Sequence, residues 1–300
     1  FCSSSVVIIL DLFSINDLHG KLCDTDKQNG VDEMTTYLKN AKLTDDHTVF
    51  LSSGDMWQGS SESNLTKGLI LTDWMNELDF AAMTLGNHEF DWGVEAILAN
   101  AELAELPILA INIYERDTNT LADYCTPSVL LDKGEVQIGI IGAIGNCYSS
   151  ISADKVQDYY FVLDDALTEL VKAESEALRA QGADIIVYTM HDGGGAYDYA
   201  LSNGYVDLVF EGHSHQNYVK KDAEGIYHLQ GGGDNDGITH ATAKVNSVTG
   251  TVIVTTAEYM PTSRYQSFED DPIIKQLGEK YADQLAAGRE GCGSGSGAAA

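Results

Sequence analysis

The chain has 300 residues, of which 44% are hydrophobic, and it carries a formal net charge of −29. This acidic excess repels polyanions, so it argues against a partner that is a nucleic-acid polymer. No apolar run approaches the roughly 20 residues that a membrane-spanning helix needs. The five cysteines are widely spaced and contain no CxxC pair, which argues against a structural zinc site and a dense disulfide framework.

Short apolar runs rich in Val, Ile and Leu recur along the chain and predict strands buried on both faces. They lie at Val6–Ile15, Thr48–Leu51, Ala81–Leu85, Pro107–Ile113, Val136–Ile144, Ile185–Met190 and Val206–Phe210. Helical patterns separate several of these runs, at Val31–Lys42, Gly68–Leu78, Gly93–Leu103 and Leu163–Leu178. After His215 the pattern changes to alternating β segments at Ile226–Gln230, Thr242–Asn246 and Thr251–Ala257.

This order of elements predicts an α/β fold in which mixed sheets are covered by helices. No internal repeat or Pro-rich linker divides the chain, so we expect one domain over residues 1–290. Residues 291–300 include the low-complexity sequence GSGSGAAA and are predicted to form a flexible tail or tag remnant.

Metal-binding residue types follow five of the apolar runs. They are Asp17 and His19, then Asp55, then Asn87 and His88, then His191, and finally His213 and His215. In open α/β sheets, ligands bind beyond the carboxyl ends of the strands. A single Asp-x-His or Gly-Asp is commonly an ordinary turn, but five such groups in this order predict one convergent site.

The residue types in this group also indicate the chemistry. Imidazole combined with carboxylate and amide oxygens suits Mn, Zn, Fe or Co better than calcium. The candidates outnumber the ligands of one tetrahedral ion, so two divalent ions are predicted. Two ions about 3.5–4 Å apart can clamp a phosphoryl group and generate a nucleophile near neutral pH. The sequence therefore predicts metal-dependent hydrolysis of a phosphate ester.

The same motifs resemble those of the calcineurin-like metallophosphoesterases. The shared elements are Asp17-x-His19, Gly54-Asp55, Gly86-Asn87-His88-Glu89, His191 and Gly212-His213-Ser214-His215. The longer strings at Asn16–Gly20, Gly54–Gly59 and Gly86–Asp91 are similar to the 5′-nucleotidase branch, and the resemblance extends from about Asp11 to Tyr259. It implies a four-layer α/β/β/α sandwich with a dinuclear metal site.

The resemblance also implies roles for individual residues. Asp17, His19 and His215 would hold one ion. Asn87, His191 and His213 would hold the other, and Asp55 would bridge both. Catalysis would fall to His88, which Asp91 orients, while Asn87 and His88 contact the phosphoryl group and a metal-bridging hydroxide attacks phosphorus.

For function, the resemblance implies hydrolysis of small phosphate monoesters, with nucleoside 5′-phosphates first. Cyclic-nucleotide phosphodiesters and nucleotide-sugar diphosphates are alternative substrates, and a surface binding module that retains the metal site is the alternative of another class. Members of this branch usually carry a C-terminal domain that supplies base stacking, which we expect to be missing here. They are typically exported, which implies a periplasmic or extracellular location.

Overall fold

The computed structural model describes residues 7–24, 29–192 and 204–286. The predicted tail at 291–300 therefore lies outside the described residues. Two six-stranded mixed sheets pack against each other, and helices cover their outer faces. This is the four-layer α/β/β/α arrangement that the sequence predicts. Within the described ranges, no helix combines the length and apolar character needed to cross a bilayer.

Strands and helices alternate in about the first third of the chain, and strands predominate from β4 onwards. The strands are β1 (Val7–Ile15), β2 (Thr48–Ser52), β3 (Ala82–Thr84), β4 (Ile108–Leu109), β5 (Ile113–Glu115), β6 (Ser128–Asp132), β7 (Gln137–Ile144), β8 (Tyr159–Phe161), β9 (Ile185–Asp192), β10 (Leu208–His213), β11 (Asn217–Lys221), β12 (Tyr227–Gly231), β13 (Gly237–Asn246) and β14 (Thr251–Pro261). The helices are α1 (Asp32–Thr44), α2 (Ser61–Thr66), α3 (Leu69–Glu77), α4 (Val94–Leu103), α5 (Asp164–Ala180) and α6 (Pro272–Lys280).

Each large sheet combines a run of parallel strands with antiparallel strands, which lie at one edge of the first sheet and at both edges of the second. The first has the order β14-β13-β1-β2-β3-β4, and β1 to β4 are parallel. The second has the order β11-β12-β10-β9-β7-β6, and β7, β9, β10 and β12 are parallel. Strands β5 and β8 form a separate pair. The carboxyl ends of the parallel strands bring the predicted ligand segments to one edge.

Three apolar clusters hold these layers together. Between the two sheets, Leu10 and Leu12 of β1 pack in one cluster with Val187 and Phe210 of the second sheet, and all four are fully buried. A second cluster packs α1, α3, α4 and α6 against the first sheet, and a third packs α5 against the second sheet. Strands that are apolar on both faces follow from this layering, because each sheet lies between two other layers.

One predicted strand is wrong. The run Pro107–Ile113 forms two short strands, β4 and β5, which belong to different sheets. The chain turns between them at the buried residue Asn112, whose side-chain amide donates to the carbonyls of Ile144 at 2.6 Å and Val162 at 2.9 Å. An apolar run does not distinguish a buried connection from a continuous strand. The edge strands β6 and β11 were not predicted.

Candidate metal centre

The loops after β1 and β2 continue the pairing of these strands. Backbone N–H groups of Asp17 and His19 donate to the carbonyls of Gly54 at 2.9 Å and Asp55 at 3.1 Å. This pairing places the side chains of Asp17, His19 and Asp55 beside one another. All three residues have left-handed backbones, with φ between +49° and +55°. Such conformations cost about 1–3 kcal/mol each and cluster at functional sites.

The loop after β10 has the same character. His213 has φ +73° and His215 has φ +53°. The backbone N–H of His213 donates to both carboxylate oxygens of Asp17, at 3.0 and 2.8 Å, and the amide of Asn16 donates to Asp17 Oδ2 at 2.6 Å. The loop from the second sheet is thereby joined to the loop from the first.

His19 and His215 form the core of one group of donor atoms. Their Nε2 atoms lie 3.0 Å apart, and Nε2 of His215 lies 3.5 Å from Oδ1 of Asp17. Burial lowers the pKa of His19, so its ring is neutral. Nδ1 of His19 lies 3.0 Å from the carbonyl of Gln58, which can only accept a hydrogen bond. The proton therefore sits on Nδ1, and Nε2 offers a lone pair.

Among the described residues, one polar side-chain atom of His191 and one of Asn87 are buried without a hydrogen-bond partner. Nδ1 of His191 donates to the carbonyl of Ser53 at 2.7 Å. Its Nε2 lies 3.1 Å from Oδ2 of Asp55, but without the geometry of a hydrogen bond. Oδ1 of Asn87 is also buried without a hydrogen-bond partner. Because buried polar atoms in folded proteins are nearly always satisfied, these two atoms fit ligands for a cation.

In the described part of the chain, three sets of side chains place their donor atoms within 4.8 Å of one another. They are Asp17 with His19 and His215, Asp17 with Asp55 and His191, and Cys147 with His191 and His213. The donors are imidazole nitrogens, carboxylate oxygens and one thiol, a combination suited to a transition metal. The site residues therefore fit the divalent ions that the sequence motifs imply.

Buried charge is concentrated at this centre. Burial is the main cause that raises the pKa of Asp17 to about 7, and the nearby carboxylate of Asp55 adds to it. Burial also opposes the ionisation of Asp55, but the adjacent His191 outweighs it and lowers the pKa of Asp55. A divalent cation would favour the ionised form of both carboxylates.

His88 and Asp91 form a separate pair at the mouth of the site. Nδ1 of His88 lies 2.9 Å from Oδ2 of Asp91, and the backbone N–H of His88 donates to Oδ1 of Asp55 at 2.8 Å. The hydrogen bond with Asp91 raises the pKa of His88 to about 8. The side chain of His88 is 37% exposed, and its ring centroid lies 5.2 Å from that of His19. A substrate at the centre could therefore reach it.

Glu89 is a site residue to which the sequence reasoning assigned no role. It is fully buried, and its carboxylate accepts hydrogen bonds from four backbone N–H groups. These belong to Asp55 at 2.9 Å, Met56 at 2.9 Å, Trp57 at 3.3 Å and Gly86 at 2.7 Å. Its place inside the Gly86–Asp91 motif was the available signal. Cys147 was also missed, because its spacing in the sequence shows no relation to the other donors.

The structure thus brings the seven predicted ligand residues and the His88–Asp91 pair to one edge of the two sheets. Glycine is required next to them at Gly86, where a Cβ atom would lie 2.2 Å from Oδ1 of Asp55. The arrangement can bind cations, hold an anion against them and present one titratable imidazole to that anion.

Comparison with known proteins agrees with this geometry. Residues 12–217 match the calcineurin-like phosphoesterase family. The chain is 34% identical over 220 residues to an apyrase from Tabanus yao, a match that covers 69% of this chain and 39% of the apyrase. It is 32% identical over 146 residues to a snake venom 5′-nucleotidase from Crotalus adamanteus, covering 44% of this chain and 25% of the relative. The chain thus spans about two fifths of the apyrase.

The fold has close counterparts among solved structures. A calcineurin-like phosphoesterase from Bacillus subtilis superimposes with a TM-score of 0.78 at 18% sequence identity. The match covers 95% of this chain and 100% of the other. At this level of identity the comparison establishes the shared fold.

Proposed function

Because the chain belongs to the calcineurin-like phosphoesterase family, we propose that it is a phosphomonoesterase with two divalent metal ions and that nucleoside 5′-phosphates are its first substrates. The observation that carries this proposal is the pair of buried polar atoms without a hydrogen-bond partner among the described residues, His191 Nε2 and Asn87 Oδ1, beside the His88–Asp91 pair. Metal ligands and a proton donor are the two components that this hydrolysis needs.

The ligands divide into two sets. Asp17, His19 and His215 would hold one ion, in keeping with the closeness of their donor atoms. Asn87, His191 and His213 would hold the second. Asp55 lies between the sets, since its donor atoms group with those of both Asp17 and His191. Carbonyl hydrogen bonds at Nδ1 of His19 and His191 support this assignment, because metal-binding histidines usually donate their other N–H to a backbone or carboxylate oxygen.

The ions, when bound, supply Lewis-acid stabilisation of the phosphoryl charge and a nucleophile at neutral pH. Side chains of the protein supply proton donation and substrate positioning. His88, whose pKa is raised by its hydrogen bond with Asp91, can donate a proton from Nε2 to the leaving oxygen. Asp91 fixes the ring by accepting from Nδ1. Asn87 and His88 position the phosphoryl group.

The relatives support a location outside the cytoplasm. One relative is named as a venom protein, and venom is a secreted fluid. We infer an extracellular or periplasmic enzyme that acts on small phosphate esters. Its net charge of −29 disfavours nucleic-acid polymers, and positive charge from the ions would offset this field locally.

A substrate panel tests the proposal. The chain, loaded separately with Mn²⁺, Zn²⁺ and Co²⁺, is assayed with AMP, 2′,3′-cyclic AMP and UDP-glucose. We expect orthophosphate release from AMP at a higher kcat/KM than cleavage of the other two. Faster cleavage of the cyclic diester or the nucleotide sugar would favour the alternative substrates. Metal binding without any hydrolysis would favour the binding module.

A further inference from the structure

A ring of hydrogen bonds joins Ser214, in the Gly212–His215 loop, to Glu211, the residue just before this loop. Ser214, which lies between the two histidines, donates from its hydroxyl to Oε1 of Gln230 at 2.7 Å. Nε2 of Gln230 donates to the hydroxyl of Tyr218 at 3.1 Å, and this hydroxyl donates to Oε2 of Glu211. Glu211 directly precedes the loop on β10, so the ring closes through the backbone of the loop.

Glu211, which accepts the last hydrogen bond of the ring, is itself held in place by His228. The second oxygen of Glu211 lies 2.8 Å from Nδ1 of His228, and Nε2 of His228 lies 3.2 Å from Oδ2 of Asp222. Glu211, Gln230 and His228 are each at most 3% exposed. Leaving a buried polar group unsatisfied costs about 1–3 kcal/mol. The side chains of the ring therefore strongly favour this one arrangement.

The Gly212–His215 loop, which the ring holds, has a backbone conformation that needs stabilising contacts. His213 and His215 both have left-handed backbones, a conformation that costs free energy for residues other than glycine. The ring joins the loop to β11 and β12, and its side chains are not among the proposed metal ligands. It therefore opposes relaxation of the loop without contributing a donor atom to an ion.

We propose that the ring formed by Glu211, Tyr218, Gln230 and Ser214 positions His213 and His215 and thereby sets the metal affinity of the centre. This inference rests on the proposed function, since it takes the two histidines as metal ligands. Residues that orient metal ligands typically change affinity by about 10–100-fold when replaced. The expected effect is thus weaker metal binding, measured as a larger dissociation constant, in a protein that is still folded.

Matched tyrosine variants test this inference. Tyr218→Phe removes only the hydroxyl that joins Gln230 to Glu211. Tyr124→Phe is the control, because the hydroxyl of Tyr124 is also buried but has no hydrogen-bond partner in the described part of the chain. Zn²⁺ dissociation constants are measured on the whole chain by competition with a chromophoric chelator. We expect Tyr218→Phe to weaken Zn²⁺ binding by about tenfold or more, and Tyr124→Phe to change it by less than about threefold.

A second pair of variants covers the case in which Tyr218→Phe fails to fold. Ser214→Ala should weaken Zn²⁺ binding as Tyr218→Phe does, and Ser214→Thr, which keeps a hydroxyl, should restore most of the affinity. Wild-type dissociation constants in folded Tyr218→Phe or Ser214→Ala would overturn the inference and leave the proposed function intact. A wild-type chain that binds no Zn²⁺, Mn²⁺ or Co²⁺ would overturn both.

Discussion

The Nε2 atoms of His19 and His215 lie 3.0 Å apart, although 196 positions separate the two residues in the chain. The hydrogen bond to Gln58 fixes the proton of His19 on Nδ1, so its Nε2 atom presents a lone pair to the second ring. When Nε2 of His215 carries a proton, it can donate a hydrogen bond to this lone pair. A cation bound between the rings would use both nitrogens.

Asp55→Asn should lower metal content and turnover together. Asp55 is 1% exposed, and its carboxylate lies close to both proposed ligand sets. The loss of its charge should therefore weaken the binding of both ions. Elemental analysis and initial rates on the same preparations measure the two quantities. Asp154→Asn, at an exposed position, is the control and should change neither. Full metal content in Asp55→Asn would remove Asp55 from the ligands.

His88→Asn should separate metal binding from catalysis. Because His88 is assigned to the phosphoryl group, this variant should keep two ions and its melting temperature while turnover falls by roughly 10²–10⁴-fold, the range for a positioned acid–base group. Asp91→Asn should have a smaller effect, since Asp91 acts through the imidazole. Retained turnover in folded His88→Asn would exclude His88 from the mechanism, and loss of metal would make it a ligand.

Glu89→Gln should destabilise the fold. The carboxylate accepts from four backbone N–H groups, and an amide directs its own N–H₂ at some of these donors. We expect a loss of about 1–3 kcal/mol in the free energy of unfolding for the unsatisfied groups, measured by urea denaturation. Glu102→Gln, on the exposed face of α4, should change this free energy by less than about 0.5 kcal/mol. Equal stability of the two variants would contradict the role given to Glu89.

The contribution of His228 to the stability of the metal-free chain should depend on pH. Burial alone lowers the pKa of His228, but hydrogen bonds with Glu211 and Asp222 outweigh it and raise this pKa above 6.5. The folded state thus binds the proton more tightly than the unfolded state. The stabilisation is complete below pH 6.5 and is lost as the pH rises through the folded pKa. The difference in unfolding free energy between wild type and His228→Gln should therefore shrink as the pH rises above 6.5. A difference independent of pH would contradict this pKa shift.

The sequence predicted those features that local patterns determine. Apolar runs located most central strands, and the structure places the proposed ligand residues after them, such as Asp17 and His191, at strand ends; strand ends and residue types are both local information. The break at Asn112 was missed, since it depends on hydrogen bonds to Ile144 and Val162, which lie 32 and 50 positions away. The ring through Ser214 was missed for the same reason.

Metal stoichiometry coupled to hydrolysis tests the central claim most directly. The chain is stripped with a chelator, titrated with Mn²⁺ or Zn²⁺, and assayed on a chromogenic phosphate monoester at each step. We expect hydrolysis to disappear on stripping and to return in proportion to occupancy, with saturation at about two ions per chain. Full hydrolytic activity in the metal-free protein would contradict the account.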